Sequence, residues 1–409
     1  MKFVLLNTYE TGGAAHACYR LFHGLKSAGT DACMMVRSGA HFPGVISAGS
    51  FRNGYLRALL DGISLHRYPD RQLHNFSPSW VPGRGIKEAN RLSPDLVHLH
   101  WIAQGFVRIE SMTSITCPIV WTLHDSWPFT GGCHLPGNCR RYEQECGQCP
   151  VLGSNCENDL SRRVWRRKHE AWENLLLTIV CPSKWLADKA SASSLFRDRK
   201  IVVIPNGIDT VRYSLGEKLT ARRQLSLPEN GSILLFGANH AINDKNKGLD
   251  LLLAALRLID NKQLQDTELV IFGEDTVETL NGCRLHIRNM GTIHDEERLV
   301  LLYRAADIFV VPSRQENLPN MIMEAMACGT PCVAFSVGGI PELVNHCETG
   351  YLAVPYDVED FARGILLLLK NEKLKMHMSR ASRRWIEANV SLDKVVGRHL
   401  DLYRELLRL

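Results

Sequence analysis

The chain has 409 residues, which is too long for one ordinary hydrophobic core and fits two domains of about 200 residues each. Hydrophobic residues make up 45% and charged residues 22% of the sequence, a composition typical of globular rather than disordered proteins. The formal net charge of +5 is small for this length. It favours mild attraction to phosphates or anionic surfaces and argues against a nucleic-acid-binding protein.

The N-terminal stretch "MKFVLLNTYETGG" has a short apolar run followed by polar turn residues, which is typical of a first strand and not of a signal peptide. No apolar stretch reaches the ~20 residues that a membrane-spanning helix needs. We therefore expect a cytoplasmic protein whose thiols stay reduced. Eight of the thirteen cysteines are scattered, mostly in apolar runs that favour small buried hydrophobic side chains: Cys18, Cys33, Cys117, Cys181, Cys283, Cys328, Cys332 and Cys347.

The first half of the chain alternates short apolar runs with helical patterns. The run "KFVLLN" predicts a strand, "TGGAAHACYRLFHGLKSAG" a loop and an amphipathic helix closed by Gly29, and "ACMMV" the next strand. Further strands are predicted for "DLVHLH", "IVWTLH", "LTIVCPS" and "KIVVIPNG". Nearly continuous apolar strands separated by helices indicate a parallel sheet covered on both faces.

The strand-to-helix rhythm begins again after "IPNGID" at residues 204–209 and includes "SILLFGA", "ELVIFGE", "IFVVPS" and "PCVAF". This restart predicts an N-terminal domain over residues 1–205 and a second domain over 206–385. The amphipathic stretch at 386–409 is expected to pack back on the N-terminal domain. Two doubly wound domains that face each other would place a ligand cleft at the carboxyl ends of their strands.

Four cysteines lie in the polar, turn-rich part of the loop 131–156, with the spacing C-x5-C-x6-C-x2-C: Cys133, Cys139, Cys146 and Cys149. Four thiolates in such a loop can surround one tetrahedral Zn²⁺, which makes a structural zinc site our hypothesis, with Cys156 as a spare ligand. Disulfides are disfavoured in a reducing cytoplasm. Free thiols without a metal remain the alternative.

The segment "PSRQENLPNMIMEAMACGTPCVAF" at 312–335 predicts a strand end, a polar loop and a helix opened by Pro319 and closed by Gly329. A helix that begins at the carboxyl end of a sheet points its free N–H groups at a ready-made phosphate site. Glu316 and Glu324 would flank that site and accept hydrogen bonds from sugar hydroxyls. Taken alone, the pair could equally be a solvated loop glutamate and a surface helix glutamate.

Glu316, seven intervening residues and Glu324, followed by "EAMACGTPCVAF" and "GGIPELV", resemble the E-x7-E signature of retaining glycosyltransferases of family 4, which have the GT-B fold. The segments "IPNGID", "NKGLDLLLAAL", "NMGTI" and the N-terminal "TGGAA" are similar to further motifs of that family and follow its order along nearly the whole chain. Within that family, the chain resembles bacterial exopolysaccharide and lipopolysaccharide transferases, including those of the colanic-acid type.

The resemblance implies a role for each matching residue. Lys247 would neutralise the donor diphosphate, Glu316 would contact the donor sugar, and Glu324 would hold the nucleotide ribose. His124 would lie beside the donor sugar. The backbone at Asn320, Met321, Gly12 and Gly13 would approach the phosphates; these four residues and Lys245 complete the expected donor site.

The resemblance also implies a nucleotide-sugar donor, a glycan or lipid-linked glycan acceptor, and catalysis that needs no metal or other cofactor. Many family members have an arginine shortly before the phosphate lysine, and "GANHAINDKNKG" lacks one. Either Lys245 replaces it, or the phosphate relies on Lys247 and the helix end. A nucleotide-sugar epimerase, a pyridoxal-dependent phosphorylase and a non-catalytic nucleotide-sugar-binding subunit stay open as alternatives.

The segment "SRRVWRRKHEAWENLL" at 161–176 combines clustered basic residues with two tryptophans seven positions apart. Its simpler interpretation is a solvated basic helix with tryptophans in the core. The other interpretation is a patch that contacts the cytoplasmic face of the membrane, which would suit a lipid-linked acceptor.

Overall fold

The structure is a computed structural model that describes residues 1–72, 75–237, 244–273, 283 and 285–408. The chain divides into two compact units. Unit 1 comprises Met1–Gly207 together with Asp393–Leu409, and unit 2 comprises Ile208–Leu392. The chain therefore leaves the first unit, builds the second, and returns.

The described part of unit 1 contains a parallel sheet with the strand order β3-β2-β1-β4-β5-β6-β7. The strands are β1 Lys2–Asn7, β2 Asp31–Val36, β3 Val45–Ser47, β4 Leu96–Leu99, β5 Ile119–Thr122, β6 Leu177–Cys181 and β7 Lys200–Val203. The three strands β4, β5 and β6 are buried along their whole length, as their continuous apolar runs predict. Leu6 pairs with Leu99, and Leu99 with Trp121, so the residues after these strands meet at one edge of the sheet.

The helices of unit 1 are α1 Gly13–Ser27, α2 Phe51–Gly62, α3 Gly85–Arg91, α4 Leu160–Trp172 and α5 Lys184–Ala192. Helix α1 ends before Gly29, whose φ of 80° suits a glycine, as predicted. Helix α4 buries Trp165, Trp172 and Lys168. The tryptophans of 161–176 are therefore core residues, and the membrane interpretation of this helix loses the aromatic contacts on which it rested.

In unit 2, the described strands form a parallel sheet with the order β10-β9-β8-β11-β12-β13. They are β8 Ser232–Gly237, β9 Thr267–Phe272, β10 His286–Asn289, β11 Ile308–Val311, β12 Cys332–Phe335 and β13 Gly350–Ala353. The helices are α6 Lys218–Gln224, α7 Leu249–Leu258, α8 Glu296–Ala305, α9 Asn320–Ala327, α10 Ile340–Leu343, α11 Val358–Lys370 and α12 Glu372–Asn389. The doubly wound order that the sequence predicts is therefore present in both units.

The last helix, α13 (Leu392–Leu407), carries the chain back into unit 1. Tyr403 is fully buried there, with its ring 4.9 Å from that of Phe3. Its hydroxyl lies 2.5 Å from Nδ1 of His98 on β4. Both an apolar contact and a buried hydrogen bond therefore hold this helix on the first sheet.

Candidate functional site

In unit 2, Lys247 and Glu316 form an ion pair, with Lys247 Nζ 2.9 Å from Glu316 Oε1. Both side chains are largely buried, with 23% and 16% of their surface exposed. The Glu316 carboxylate raises the pKa of Lys247, and this effect outweighs the opposing effect of burial. The lysine therefore stays positively charged next to a partly buried acid.

The backbone around this pair is held by two close approaches that require glycine. Gly248 has a φ of 69°, and a Cβ atom there would lie 1.9 Å from the Pro312 carbonyl oxygen. Gly338 has a φ of 58°, and a Cβ atom would lie 1.8 Å from the Glu316 carbonyl oxygen. The turn that carries Lys247 and the loop that carries Glu316 are thus packed directly against neighbouring backbone.

Glu324 lies on α9 and is only 5% exposed, so it is not the surface glutamate that the simpler interpretation assumed. The Tyr303 hydroxyl donates a hydrogen bond of 2.8 Å to its Oε2 atom. Pro319 caps the start of α9 and Gly329 follows its end with a φ of 76°, as predicted. Asn320 and Met321 form the first turn of this helix, where backbone N–H groups lack intrahelical acceptors. Tyr303 was missed because it comes from a different helix.

Lys245 is exposed, unlike Lys247. The preceding stretch 238–243, in which the family arginine is expected, lies outside the described residues. Arg314 approaches this turn: its guanidinium binds both Asp250 carboxylate oxygens at 2.9 and 2.6 Å and contacts the Lys245 carbonyl oxygen. Sequence reasoning did not single out Arg314, although it lies two positions before Glu316.

In unit 1, Gly12 and Gly13 lie at the turn from β1 into α1. Gly12 has a φ of 95°, a conformation that favours glycine, and a Cβ atom there would meet nothing within 4 Å. Gly13 is the first residue of α1. The turn therefore exposes backbone in open space at a helix start.

His124 follows β5 and lies beside His100, which follows β4. Nε2 of His124 is 2.9 Å from Nδ1 of His100, and the two rings stack at 5.1 Å. Burial lowers the pKa of His124 to about 4, against the opposing effect of Asp125, and lowers that of His100 well below its ordinary value. Both imidazoles are therefore neutral near pH 7, so each can donate one hydrogen bond and accept another.

A second polar network at the same sheet edge joins Asp125, His134 and Trp101. Oδ2 of Asp125 is 2.7 Å from Nδ1 of His134 and accepts a bond of 2.6 Å from the Trp101 indole. Burial raises the pKa of Asp125, but His134 and the hydrogen bonds to the carboxylate outweigh this and lower it. The Trp101 ring stacks on that of Tyr9 at 5.7 Å, and Tyr9 is 36% exposed. No spacing pattern in the sequence indicates this network, because Asp125, His134 and Trp101 lie in irregular segments.

Comparison with known proteins identifies the family. The model described as Glycosyltransferase Family 4 matches residues 11–212, and the model described as Glycosyl transferases group 1 matches 217–385. A D-inositol 3-phosphate glycosyltransferase from Salinispora tropica is 32% identical over 376 residues, which cover 85% of this chain and 70% of the relative. The protein belongs to the family 4 glycosyltransferases.

Other relatives of this family 4 glycosyltransferase match over different shares of their length. An uncharacterized glycosyltransferase from Methanocaldococcus jannaschii is 24% identical over 317 residues, covering 73% of this chain and 77% of the relative. A D-inositol 3-phosphate glycosyltransferase from Geodermatophilus obscurus is 34% identical over 202 residues, which are 46% of this chain and 43% of that relative. The chain thus spans less than half the length of this last relative.

Solved structures share the fold of this family 4 glycosyltransferase. Sucrose-phosphate synthase from Thermosynechococcus elongatus has a TM-score of 0.72 at 20% identity, over 100% of this chain and 99% of that one. HepE from Anabaena, in complex with UDP and glucose, has a TM-score of 0.68 at 15% identity, over 99% and 100%. WaaG, a glycosyltransferase involved in lipopolysaccharide biosynthesis, has a TM-score of 0.67 at 16% identity, over 98% and 99%. The fold is GT-B, with two Rossmann-like domains.

The four cysteines of the family 4 glycosyltransferase loop line one small cavity, together with Tyr142 and Ser161. Burial raises the pKa of Cys146 to about 12 and that of Cys133 well above its ordinary value. Within the described ranges, no group of three or more histidine, cysteine or acidic side chains is arranged to hold a metal ion. The predicted zinc site is therefore not supported. Cys133 and Cys149 are buried, and burial raises the pKa of both thiols, which favours their protonated form. Cys156 is exposed.

Lys168 lies beneath this loop and is fully buried. Its ammonium donates hydrogen bonds to the carbonyl oxygens of Trp127 and, at 3.0 Å, Thr130, and it lies 3.8 Å from the centre of the Trp127 ring. Burial lowers its pKa to about 7, although Cys133 and Cys146 act in the opposite direction. Lys168 therefore ties helix α4 to the start of the cysteine loop.

Proposed function

We propose that this protein transfers a sugar from a nucleoside diphosphate sugar to a hydroxyl group of a growing surface polysaccharide or lipid-linked glycan, with retention of anomeric configuration. The Lys247–Glu316 ion pair is the observation that carries the proposal. It places a permanent cation and a carboxylate beside the N-terminal turn of α9, within one domain of the GT-B fold.

The chemistry follows from charge. When the bond from C1 to the diphosphate breaks, negative charge develops on the leaving group and must be stabilised. Lys247 supplies a positive charge, and the backbone N–H groups of the first turn of α9, at Asn320 and Met321, supply further donors. Because these charges belong to the protein, the proposed catalysis needs no divalent metal.

The remaining residues of the donor site contact different parts of the nucleotide sugar. Glu316 contacts the sugar hydroxyls, and Glu324, oriented by Tyr303, accepts hydrogen bonds from the ribose. Lys245 is a peripheral phosphate contact. A UDP sugar is the first donor to test, because the HepE structure of the same fold contains UDP and glucose.

The acceptor would bind in unit 1. As the resemblance implies, the neutral His124 would hydrogen-bond a hydroxyl of the donor sugar, and the backbone at Gly12 and Gly13 would approach the donor phosphates. The exposed face of Tyr9, stacked on Trp101, is flat and apolar, as is one face of a pyranose ring. A glycan acceptor fits such a surface better than a small charged molecule, and the likeness to WaaG directs the search to bacterial surface polysaccharides.

The proposal is tested by a thermal-shift screen with UDP, GDP and dTDP sugars, followed by transfer assays. A donor at 100 times its Kd stabilises the protein by about 2.7 kcal/mol. Lys247→Met should abolish this stabilisation, whereas the matched Lys245→Met should weaken it only modestly. Transfer should persist in EDTA and give the retained anomer by NMR.

Three results would contradict the proposal. The first is that no nucleotide sugar binds. The second is that a product forms without any acceptor, as an epimerase would make it. The third is that the product has the inverted anomeric configuration. Equal loss of donor binding in both lysine variants would contradict the separate roles assigned to them.

A further inference from the structure

Helix α2 of unit 1 presents apolar side chains to solvent and small or acidic ones to the protein. Tyr55, Leu56, Leu59, Leu60 and Ile63 are between 47% and 57% exposed. We call these five residues the α2 outer face. Their spacing places them on one side of the helix. Isolated exposed leucines are ordinary, but a contiguous set of this kind marks an interaction surface.

The opposite side of α2 fixes this orientation. Gly54 packs so closely that a Cβ atom would lie 2.7 Å from Ser38 Oγ. Asp61 is 2% exposed, and its carboxylate accepts backbone hydrogen bonds from Trp80 at 2.9 Å and from Ser79 at 3.2 Å. Because a buried, hydrogen-bonded carboxylate is held inward, the leucines cannot turn toward the core without losing these bonds.

Positive charge and one exposed indole border the α2 outer face. Arg52 and Arg67 are exposed at its two ends. Trp80 is 44% exposed and donates its indole N–H to the Asp61 carbonyl oxygen, which keeps it beside the helix. Tryptophan and arginine next to an apolar helix face are typical of helices that lie in a membrane interface.

A small cavity at the inner flank of α2 is lined by three arginines, Arg37, Arg57 and Arg84. Nε of Arg37 is buried and has no hydrogen-bond partner among the described residues. This cavity is too small to admit a phosphate group, so the three arginines act only as positive charge behind α2. Together with the exposed Arg52 and Arg67, they make the charge around α2 complementary to anionic lipid headgroups.

We propose that the α2 outer face docks on an anionic phospholipid bilayer, with its leucines inserted at the headgroup boundary and its arginines on lipid phosphates. In the described residues, no helix is long and apolar enough to cross a membrane, so this contact is peripheral. A second copy of the chain is a poorer occupant, because a two-fold contact through this face would bring the same arginines together.

The test is co-sedimentation of the full chain with vesicles, without donor or acceptor, so the result does not depend on transfer activity. The wild type should bind vesicles of equal phosphatidylcholine and phosphatidylglycerol, and release them in high salt. Leu56→Ser with Leu59→Ser should lower the partition coefficient about tenfold or more. The matched control, Leu176→Ser with Leu258→Ser, removes two leucines that are 69% and 55% exposed elsewhere and should change nothing.

A second pair of variants tests the charges. Arg52→Gln with Arg67→Gln should weaken binding severalfold, because each arginine near an anionic surface contributes to attraction. The control variant, Arg163→Gln with Arg166→Gln, changes two exposed arginines of α4 and should leave vesicle binding unchanged. Circular dichroism confirms that each variant is folded.

Equal binding by wild type and the leucine variant, or no vesicle binding at all, would overturn the proposal. So would light scattering that shows a wild-type dimer and a monomeric leucine variant, because the face would then hold a second copy of the chain.

Discussion

Lys247 and Glu316 lie in an environment where removing either charge leaves the other unbalanced. In a partly buried ion pair, both charged groups have lost part of their hydration. Truncating one partner therefore lowers the folding stability by more than the intact pair adds to it. In this site the donor diphosphate would compete with Glu316 for the lysine ammonium. The strength of donor binding should therefore depend on both residues.

Glu316→Gln should keep the fold and still bind nucleotide but lose transfer activity by orders of magnitude. The amide preserves the shape of the side chain and removes the charge that would contact the donor sugar as its bond breaks. Steady-state kinetics with a matched Glu297→Gln control, at a carboxylate that is 73% exposed, separates this effect from a general loss of charge. Near-wild-type turnover in Glu316→Gln would remove the residue from the site.

Glu324→Ala should raise the donor KM more than it lowers kcat, because ribose binding stabilises the ground and transition states alike. Tyr303→Phe should produce a weaker change of the same kind, since it removes the hydrogen bond that orients Glu324. A change confined to kcat in either variant would contradict the ribose role.

Glu316, Glu324 and Lys247 could be predicted as candidate site residues because each lies in a recognisable local sequence motif. Their loop-and-helix setting can be read directly from strand ends, Pro319 and the glycines. Tyr303, Arg314 and the Asp125–His134 pair could not be found in this way. Tyr303 and Arg314 contact residues 21 and 64 positions away, and Asp125 and His134 are 9 positions apart outside any regular helix or strand. No local periodicity encodes such contacts.

At the level of secondary structure, β4, β5 and α13 share a cluster of buried histidines. His98 contacts Tyr403 of α13 and, through Nε2 at 2.8 Å, Thr122 of β5. The ring of His399 on α13 lies 5.5 Å from that of His98, tilted by 34°. These elements therefore meet through neutral imidazoles.

Acid should destabilise unit 1 through this cluster. Burial lowers the pKa of His399 from 6.5 to about 4, so its contribution is fully present above pH 6.5 and is lost as the pH falls toward 4. The loss is on the order of 3 kcal/mol for this group alone. Denaturant unfolding followed by tryptophan fluorescence reports mainly on unit 1, because Trp385 alone lies outside it.

In the same experiment, His399→Gln should flatten the pH dependence, and His377→Gln, at an exposed position, should leave it as in the wild type. An unfolding free energy that does not change between pH 6.5 and 4 would mean that these histidines are not neutral in the folded protein.

The cysteines of the chain should show two classes of thiol reactivity. Cys156 and Cys347 are exposed and should react rapidly with a thiol reagent, whereas Cys133 and Cys149 are buried and should react after unfolding. Elemental analysis on the same sample decides the zinc hypothesis. Close to one zinc per chain would reinstate it.

Most strands were predictable because buried parallel strands give continuous apolar runs. The strands β3, β10 and β13 were not predicted, since they are short and only partly buried. Helix α2 was not predicted either, since its apolar residues face solvent and its inward side holds Gly54 and Asp61. Sequence periodicity shows that a helix has an apolar face but does not show which side meets the protein. For the same reason, the basic stretch at 161–176 attracted a membrane interpretation although its tryptophans are buried.

For the whole molecule, the connection between the units matters most. Deleting residues 393–409 should destabilise unit 1, because it uncovers Phe3 and His98 on the first sheet. Unit 2 lies within residues 208–392 and should still bind nucleotide. Tyr403→Phe is the milder comparison, with an expected loss of about 1 to 3 kcal/mol from the unpaired histidine nitrogen. An unfolding curve, followed by tryptophan fluorescence, that is the same in the deletion variant as in the wild type would contradict this account.

The return of α13 also determines the order in which the protein is completed on the ribosome. At about 5 to 20 residues per second, synthesis of residues 208–392 takes roughly 10 to 40 seconds, during which the first sheet is made but lacks its last helix. Its uncovered patch around Phe3 is then available to chaperones or to aggregation. The N-terminal unit is begun first and finished last, so a ribosome that stops anywhere before the final helix leaves this unit incomplete.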